Sequence, residues 1–271
     1  MDLIRRRLVL TVVAVLAASL AAGQTAAPPP LTPDAMDAFL SKGRIFDRRD
    51  AGSGVTNSAR ARVSDGRLTH EVHIQVVDIS LPVFQAGNTT ELNFRDSYLY
   101  NVAAYRVAVL LGLDSVPMSV ERTIDGRKAA VTWWIDDVLM DEEGRVAKKT
   151  SGPNPTRTAE QIQTMRIFDE IIQNKDRNQG NIIWSTDWKM WLIDHTRAFR
   201  LGHELLKPEQ LVRAPRILLD RLRALTADAL ISATKGILTR LEVAAVMARR
   251  DRIVRMYDER ISKLGEAVVV F

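Results

Sequence analysis

The stretch from Ile162 to Phe199 constrains the fold of this chain most strongly, because a helical pattern, a polar loop and two strand-like runs follow one another without a break. Apolar residues at helical spacing predict the inward face of a helix: Ile162, Met165, Phe168 and Ile172. A polar loop, 174–181, follows this helix, and two apolar runs, Ile182–Trp184 and Met190–Ile193, then predict a short hairpin. The hairpin ends on Asp194, so we expect this aspartate to lie beside the polar loop.

Composition excludes several classes of protein. The 271 residues contain no cysteine, which excludes a disulfide scaffold, a zinc ribbon and a thiol nucleophile. The four histidines show neither the H-x-x-x-H nor the H-E-x-x-H spacing of a helix-borne zinc site. The net charge of +5 is mild for this length, and the arginine-rich stretches at 212–223 and 249–255 fall on predicted helices. A solvated helix face therefore explains these stretches better than a nucleic-acid groove, and no nucleic-acid partner is expected.

The N-terminus has the pattern of an export signal. Three arginines stand within Met1–Arg7, an apolar run covers Leu8–Ala22, and the small residue Gly23 follows. This pattern predicts a secretory signal peptide over residues 1–23, since the run is shorter than the ~20 residues that span a bilayer. The arginines also fit a twin-arginine signal loosely, although the ordinary secretory signal is favoured.

Cleavage after Gly23 predicts an exported protein, periplasmic or extracellular. Residues 24–39, which begin with a run rich in proline and alanine, are expected to form a flexible lead-in. No other segment of the chain has the length and apolar character to cross a membrane.

The rest of the chain divides into two parts with different patterns. Residues 40–138 are predicted to form a strand-rich lobe with one helix, and residues 139–271 a mainly helical lobe that contains the short hairpin. A loop rich in glycine and proline, 141–155, separates the two patterns. Strands followed by helices, rather than alternating with them, favour an α+β fold of two lobes with a cleft between them.

Two hairpins and one helix are predicted within the first lobe. Turns at Ser64–Arg67 and Asp125–Gly126 each separate two strand-like runs. Between the hairpins, apolar residues at helical spacing predict a helix: Val102, Tyr105, Val109 and Leu110. Asp96 or Ser97 is expected to cap this helix and Gly112 to end it.

Asp176, Asn181 and Asp194 carry the groups that phosphoryl transfer requires. One carboxylate must accept the proton of the attacking hydroxyl, while a carboxamide and a second carboxylate hold the divalent metal on the nucleotide phosphates. Asp176 and Asn181 are five residues apart, so a loop can direct the first toward the acceptor and the second toward the metal. We therefore predict Asp176 as the catalytic base and Asn181 and Asp194 as metal ligands. The alternative is that Asp176 merely caps a turn and the spacing is accidental.

Two motifs of this stretch resemble the catalytic and metal motifs of the atypical kinases: Asn174-x-Asp176-Arg177-x-x-x-Asn181 and Ile193-Asp194-His195-x-x-Ala198-Phe199. This group includes the phosphatidylinositol 3-/4-kinases, the HipA-type kinases and the secretory-pathway (Golgi casein kinase-like) kinases. Residues 101–117 resemble the helix segment E-x-A-A-[FY]-x-L-D-x-x-L-G-x-x-x-V-P of the secretory kinases. The resemblance covers about 50–200 and implies a two-lobed, kinase-like fold that binds ATP or another nucleoside triphosphate with Mg²⁺ or Mn²⁺.

Two charged residues that the resemblance implies are replaced. It implies a strand lysine that touches the phosphates and a helix glutamate that orients the lysine. Gln75 and Asn101 stand at the aligned positions, and such a pair buries no charge but neutralises no phosphate. Four basic residues are candidates for the role of the lysine: Arg60, Arg62, Lys42 and Arg44. Otherwise, transfer has been lost and only binding remains.

Other residues carry weaker signals. Gly52 and Gly54 are candidates for a flexible loop over the phosphates, although a lone G-x-G is often a plain turn. Trp134 ends the first lobe, where an adenine ring would stack, or it forms only an apolar edge. Arg177 is expected to form an ion pair rather than touch substrate, and His195 to make a structural hydrogen bond.

The sequence thus predicts a secreted kinase-like phosphotransferase. It would move the γ-phosphoryl group of ATP to a hydroxyl of a protein, a glycan or a lipid head group. The alternative is a catalytically weak or dead pseudokinase that acts as a nucleotide-binding or scaffolding module. Gln75 and Asn101 favour this alternative, as does the scarcity of ATP outside the cytoplasm.

Overall fold

Antiparallel strands of the first half form a five-stranded sheet. The computed structural model describes residues 31–50, 58–87 and 89–271. The strands of this sheet, in their spatial order, are β1 (Arg44–Asp50), β2 (Ala59–Ser64), β3 (Thr69–Gln75), β7 (Arg127–Trp133) and β6 (Ser119–Ile124). Both predicted hairpins are confirmed as β2–β3 and β6–β7. Asp125 and Gly126 in the second turn both have positive φ (49° and 79°), the backbone that a tight two-residue hairpin turn requires.

Two smaller sheets and eight helices complete the described part of the chain. One small sheet pairs β4 (Asp78–Ala86) with β5 (Thr89–Ser97), and the other has the order β10 (Met190–Leu192), β9 (Ile182–Ser185), β8 (Val138–Asp141). The helices are α1 (Pro33–Lys42), α2 (Leu99–Leu110), α3 (Glu142–Ala147), α4 (Pro155–Ile172), α5 (Arg216–Ala224), α6 (Ala227–Ala233), α7 (Arg240–Leu264) and α8 (Glu266–Val269). The architecture is α+β, with a strand-rich first part and a mainly helical second part.

The first part contains a helix that the sequence analysis assigned to the lead-in. α1 begins after Thr32, whose hydroxyl accepts a hydrogen bond from the Ala35 amide, and Pro33 occupies the first turn. Phe39 and Leu40 on this helix are buried in a hydrophobic cluster with residues of β2, β3, β6 and β7. The prediction of a flexible lead-in is therefore wrong for 33–39, because this segment covers one face of the sheet. The signal peptide and residues 24–30 lie outside the described residues.

The residues expected to cap α2 have other roles. Ser97 is the last residue of β5, and its hydroxyl donates to Asp78 at 2.8 Å. Asp96 is buried and accepts a hydrogen bond from Arg197, so the capping prediction is wrong for both residues. α2 begins after Tyr98 without a side-chain cap. Val109 is also misassigned, since 55% of its surface is exposed.

The second part of the chain forms around the predicted helix–loop–hairpin stretch. α4 ends at Ile172, and the predicted hairpin is confirmed as β9–β10. The loop predicted at 141–155 contains the short helix α3. Val138, assigned to the first lobe, begins β8 and pairs with Ser185 on β9.

A large hydrophobic cluster joins α2 to the helices and hairpin of the second part, and Tyr105 on α2 packs against both this cluster and that of the sheet. α2 thus lies between the two parts and packs against both of them. Among the described residues, no helix combines the length and apolar character needed to cross a membrane.

Candidate active site

A cavity of about 350 Å³ lies between the five-stranded sheet and the β9–β10 hairpin. Its lining comes from both halves of the chain that the sequence analysis distinguished. Five of the predicted site residues contribute to it: Gln75, Asn101, Trp134, Asn181 and Asp194. Trp134 stands at the point where the chain passes from the sheet to the second part. Asp176 is not part of this lining, and Gly52 and Gly54 lie outside the described residues.

Arg177 fixes the shape of the polar loop at 174–181. Its guanidinium is almost fully buried and makes a two-pronged ion pair with Asp169 on α4, at 2.9 and 3.0 Å. It also donates to the carbonyl oxygens of Asn181 (2.9 Å) and Ile193 (2.7 Å). One side chain therefore ties α4, the loop and the end of the hairpin together, which agrees with the structural role expected for it.

His195 continues this network as a neutral ring. Burial, and after it the Arg177 guanidinium, holds the pKa of His195 well below its usual range. Because arginine only donates, Nε2 of His195 is the acceptor in its 3.0 Å contact with Arg177. The backbone N–H of His195 donates to Oδ1 of Asn101 at 2.8 Å, which links α2 directly to the residue that follows Asp194.

Asp194 and Asn181 lie side by side at the end of the hairpin. The Ile193 amide donates to the Asn181 carbonyl at 3.1 Å, so backbone pairing brings their chain segments together. Asp194 has φ 52°, an uncommon backbone conformation for a residue other than glycine. The Thr196 hydroxyl donates to Oδ1 of Asp194 at 3.1 Å and orients the carboxylate.

The donor set fits a metal that arrives with phosphate. Within the described residues, no group of three or more histidine, cysteine, aspartate or glutamate side chains is arranged to hold an ion. Asn181 and Asp194 instead offer one amide oxygen and one carboxylate on the wall of the same cavity. Mg²⁺ is commonly bound through one or two carboxylates together with substrate phosphates and water, so two protein ligands are sufficient.

Asp176 is half exposed, and its Oδ2 lies 3.6 Å from Nη1 of Arg197. Burial raises its pKa above the usual value, and the carboxylates of Asp194 and Asp96 act in the same direction, while Arg197 opposes the shift. Asp176 is not part of the cavity lining, and its assignment as the base stays a prediction.

Arg197 and Asp96 form an ion pair close to Asp176 that the sequence analysis does not predict. Nε of Arg197 donates to Oδ2 of the buried Asp96 at 2.9 Å, and Nη1 lies 3.6 Å from Oδ2 of Asp176. Arg197 follows Asp194 by three residues, a spacing that could have singled it out. Nothing in the sequence indicated that Asp96 would pair with Arg197, because the two residues are 101 positions apart.

Comparisons with solved structures find the same architecture. A hydra Fam20 protein determined with a sugar superimposes with a TM-score of 0.68 at 15% identity, over 88% of this chain and 91% of that one. The Golgi casein kinase determined with Mn and ADP gives 0.64 at 12% identity, over 88% and 78%. The Helicobacter pylori proinflammatory kinase CtkA gives 0.51 at 11% identity, over 83% and 98%. This chain has an atypical kinase fold.

No protein-family model matches the sequence, and a sequence comparison with curated proteins finds no match.

Gln75 and Asn101, the two residues predicted to stand in place of an ion pair, both line the cavity. Gln75, at the end of β3, is buried and lines the cavity opposite the hairpin. Asn101 is buried too, but its side-chain oxygen is directed to the His195 amide. Asn101 therefore stabilises the Asp194 segment directly, and it does so without a charge.

Three of the four basic residues proposed to replace the lysine have contacts of their own, and one of these contacts is with Trp134, which lines the cavity. Arg60 forms a close ion pair with Glu71, and its guanidinium lies 4.1 Å from the ring centroid of Trp134. Arg44 and Arg62 both stack on Phe46, at 4.8 and 5.5 Å. Among the described residues that line the cavity, none is lysine or arginine.

Proposed function

We propose that this protein is a phosphotransferase that binds a nucleoside triphosphate with Mg²⁺ or Mn²⁺ in the cavity and transfers the γ-phosphoryl group to a hydroxyl. The observation that supports this most strongly is that a cavity of about 350 Å³ is lined by both Asn181 and Asp194, the two predicted metal ligands. The atypical kinase fold supports the same proposal, as does the Golgi casein kinase determined with Mn and ADP.

Asp176 would act as the base in this reaction. The acceptor oxygen forms a bond to the γ-phosphorus, the bond from that phosphorus to the bridging oxygen breaks, and the diphosphate leaves with the electron pair. The proton of the acceptor hydroxyl passes to the carboxylate of Asp176. Its raised pKa makes this carboxylate a better proton acceptor than an ordinary surface aspartate.

Asn181 and Asp194 would hold the divalent metal. Bound there, the metal would neutralise charge on the phosphate oxygens. The chain supports this role by orienting the two ligands, through the Thr196 hydroxyl on Asp194 and through Arg177 on the backbone of Asn181.

We propose an acceptor hydroxyl on a protein, a glycan or a lipid head group. A sugar is present in the hydra Fam20 structure, which favours testing glycans as well as proteins. We also propose that the protein acts after export, in the periplasm or outside the cell, because its first 23 residues have the pattern of a signal peptide.

Two substitutions test the assigned roles separately. Asp176→Asn should lower phosphate transfer from radiolabelled ATP by about 10²–10⁴-fold, the usual contribution of a positioned base, and leave Mn·ATP binding intact. Asp194→Asn should also weaken metal-dependent nucleotide binding. Asp228→Asn, on the exposed first turn of α6, is the matched control and should change neither quantity. Full transfer by Asp176→Asn would contradict the role of Asp176.

A pseudokinase that binds nucleotide without transfer is the second candidate. It is favoured by the absence of a lysine or arginine among the described cavity-lining residues. Nucleotide at a hundred times its Kd should stabilise the folded protein by about 2.7 kcal/mol. Stabilisation by Mn·ATP without transfer to any protein, glycan or lipid acceptor would support this candidate. No stabilisation by any nucleotide would contradict both functions.

A further inference from the structure

None of the described residues that line the cavity is a lysine or arginine that could neutralise the charge of a bound triphosphate. The described lining residues include one carboxylate, that of Asp194, and no lysine or arginine. A bound triphosphate would bring several further negative charges to this wall. A metal offsets part of that charge, and protein cations commonly neutralise the remainder at the transferred phosphoryl group. A guanidinium or ammonium group near Asp194 would supply this neutralisation.

Arg197 is a cation that contacts both Asp96 and the predicted base Asp176. Its Nε donates to Asp96 at 2.9 Å, while its Nη1 is 3.6 Å from Asp176, a distance too long for a hydrogen bond. The carboxylate of Asp194 also acts on Arg197 and favours its charged form. About a third of the Arg197 side chain is exposed, so solvent reaches part of it.

The γ-phosphoryl group of a bound nucleotide belongs in this same region. In-line transfer requires it to lie between the acceptor oxygen, which Asp176 deprotonates, and the metal held by Asn181 and Asp194. The Arg197 guanidinium stands among these carboxylates and is anchored on its far side by the buried Asp96. Its planar N–H groups match phosphate oxygens in geometry as well as charge.

We propose that Arg197 binds the γ-phosphoryl group of the nucleotide and does the work of the missing strand lysine. The proposal rests on the proposed function of the cavity. In the structure, the guanidinium is held by Asp96 and lies 3.6 Å from Asp176. With nucleotide bound, Nη1 turns from Asp176 to a γ-phosphate oxygen, which leaves the Asp176 carboxylate available to the acceptor proton. Arg197 stabilises charge in this step and exchanges no proton.

The test compares nucleotides that differ only in the γ-phosphate. We would measure the affinities of Mn·ATP and Mn·ADP by calorimetry for the full chain and for the variants Arg197→Gln and Arg197→Lys. The parent protein should prefer Mn·ATP, and Arg197→Gln should lose about tenfold in Mn·ATP affinity, the size expected for a charge-assisted hydrogen bond, with less than a twofold change for Mn·ADP. The Mn·ATP affinity of Arg197→Lys should lie between those of the parent protein and Arg197→Gln, because lysine keeps the positive charge but lacks the planar, two-pronged guanidinium.

Asp96→Asn separates phosphate binding from a purely structural role. It removes the anchor but keeps the Arg197 charge, so it should lower the melting temperature and preserve the preference for Mn·ATP. Arg255→Gln, at an exposed position on α7, is the control for loss of one positive charge. If Arg197→Gln weakens both nucleotides equally, or neither, the role of Arg197 is overturned. If the parent protein binds neither nucleotide, the proposed function itself fails.

Discussion

At the scale of single residues, the surroundings of Asp176 disfavour its ionised form, and this lowers the stability of the folded chain at neutral pH. Burial, Asp194 and Asp96 together raise its pKa, so ionising it costs more free energy in the folded chain than in the unfolded one. A raised folded-state pKa favours the fold at low pH, and this contribution is lost as the pH rises through that pKa. We therefore expect Asp176→Asn to raise the melting temperature at pH 7 in metal-free buffer. The gain should disappear below about pH 4, where the native aspartate is protonated in both states.

Asp187, in the β9–β10 turn, provides the control of opposite sign. A hydrogen bond from the Ser185 hydroxyl is the main cause that lowers the pKa of Asp187. A lowered folded-state pKa stabilises the fold above the unfolded pKa and loses that effect as the pH falls. Asp187→Asn should therefore lower the melting temperature at pH 7. A drop for Asp176→Asn equal to that for Asp187→Asn would contradict the environment assigned to Asp176.

At the scale of elements, α2 holds the segment around Asp194 through the hydrogen bond from the His195 N–H to Asn101. Asn101→Leu removes the acceptor of the buried His195 N–H, and an unsatisfied buried donor costs about 1–3 kcal/mol. We expect a lower melting temperature together with weaker binding of Mn·ATP, because the backbone at Asp194 loses its support. Both quantities are measured by thermal melting with and without Mn·ATP.

Tyr98→Phe is the matched control for α2. It removes the 3.0 Å hydrogen bond from the Tyr98 hydroxyl to Glu121, which lies outside the cavity lining. This variant should lose some stability and retain the affinity for Mn·ATP. Equal losses of affinity in both variants would show that Asn101 stabilises the helix in general and not the Asp194 segment.

Elements with a repeating local pattern could be predicted from the sequence. The β2–β3 and β6–β7 hairpins were found because a polar turn separates alternating residues, and the β9–β10 hairpin because both runs are apolar. The β4–β5 hairpin is absent from the sequence analysis although Ile79, Leu81 and Val83 alternate along β4; in the structure these three side chains are exposed. α1 did carry a local signal, the Thr32–Pro33 start, within a segment whose composition suggested a lead-in.

The candidate site could be predicted only in part for a related reason. Asp176, Asn181 and Asp194 are joined by one continuous helix–loop–hairpin pattern, so their approach follows from local structure. The Arg197–Asp96 ion pair joins segments 101 residues apart, and the turning of Arg60 toward Glu71 depends on pairing between strands. Such contacts exist only after the tertiary fold has formed, and they fix the positions of the Arg197 and Arg60 guanidinium groups.

At the scale of the whole molecule, the proposed location of the protein follows from its first 23 residues. Ala21 and Gly23 are the small residues that a signal peptidase requires, so export should remove residues 1–23 and leave Gln24 at the N-terminus. The location matters for the choice between transferase and pseudokinase, because a compartment poor in ATP supplies little phosphoryl donor.

Expression of the full chain in a bacterial host, followed by fractionation and intact-mass measurement, tests this proposal. We expect the exported fraction to contain the chain that begins at Gln24, and replacement of both Ala21 and Gly23 by phenylalanine to block processing. Lysine at Arg5 and Arg6 should leave export unchanged, because the ordinary secretory route needs positive charge and not an arginine pair. Loss of export in that variant would indicate the twin-arginine route. An unprocessed chain that remains in the cytoplasm, with ATP available to it, would contradict export and remove the scarcity of donor as a reason to favour a pseudokinase.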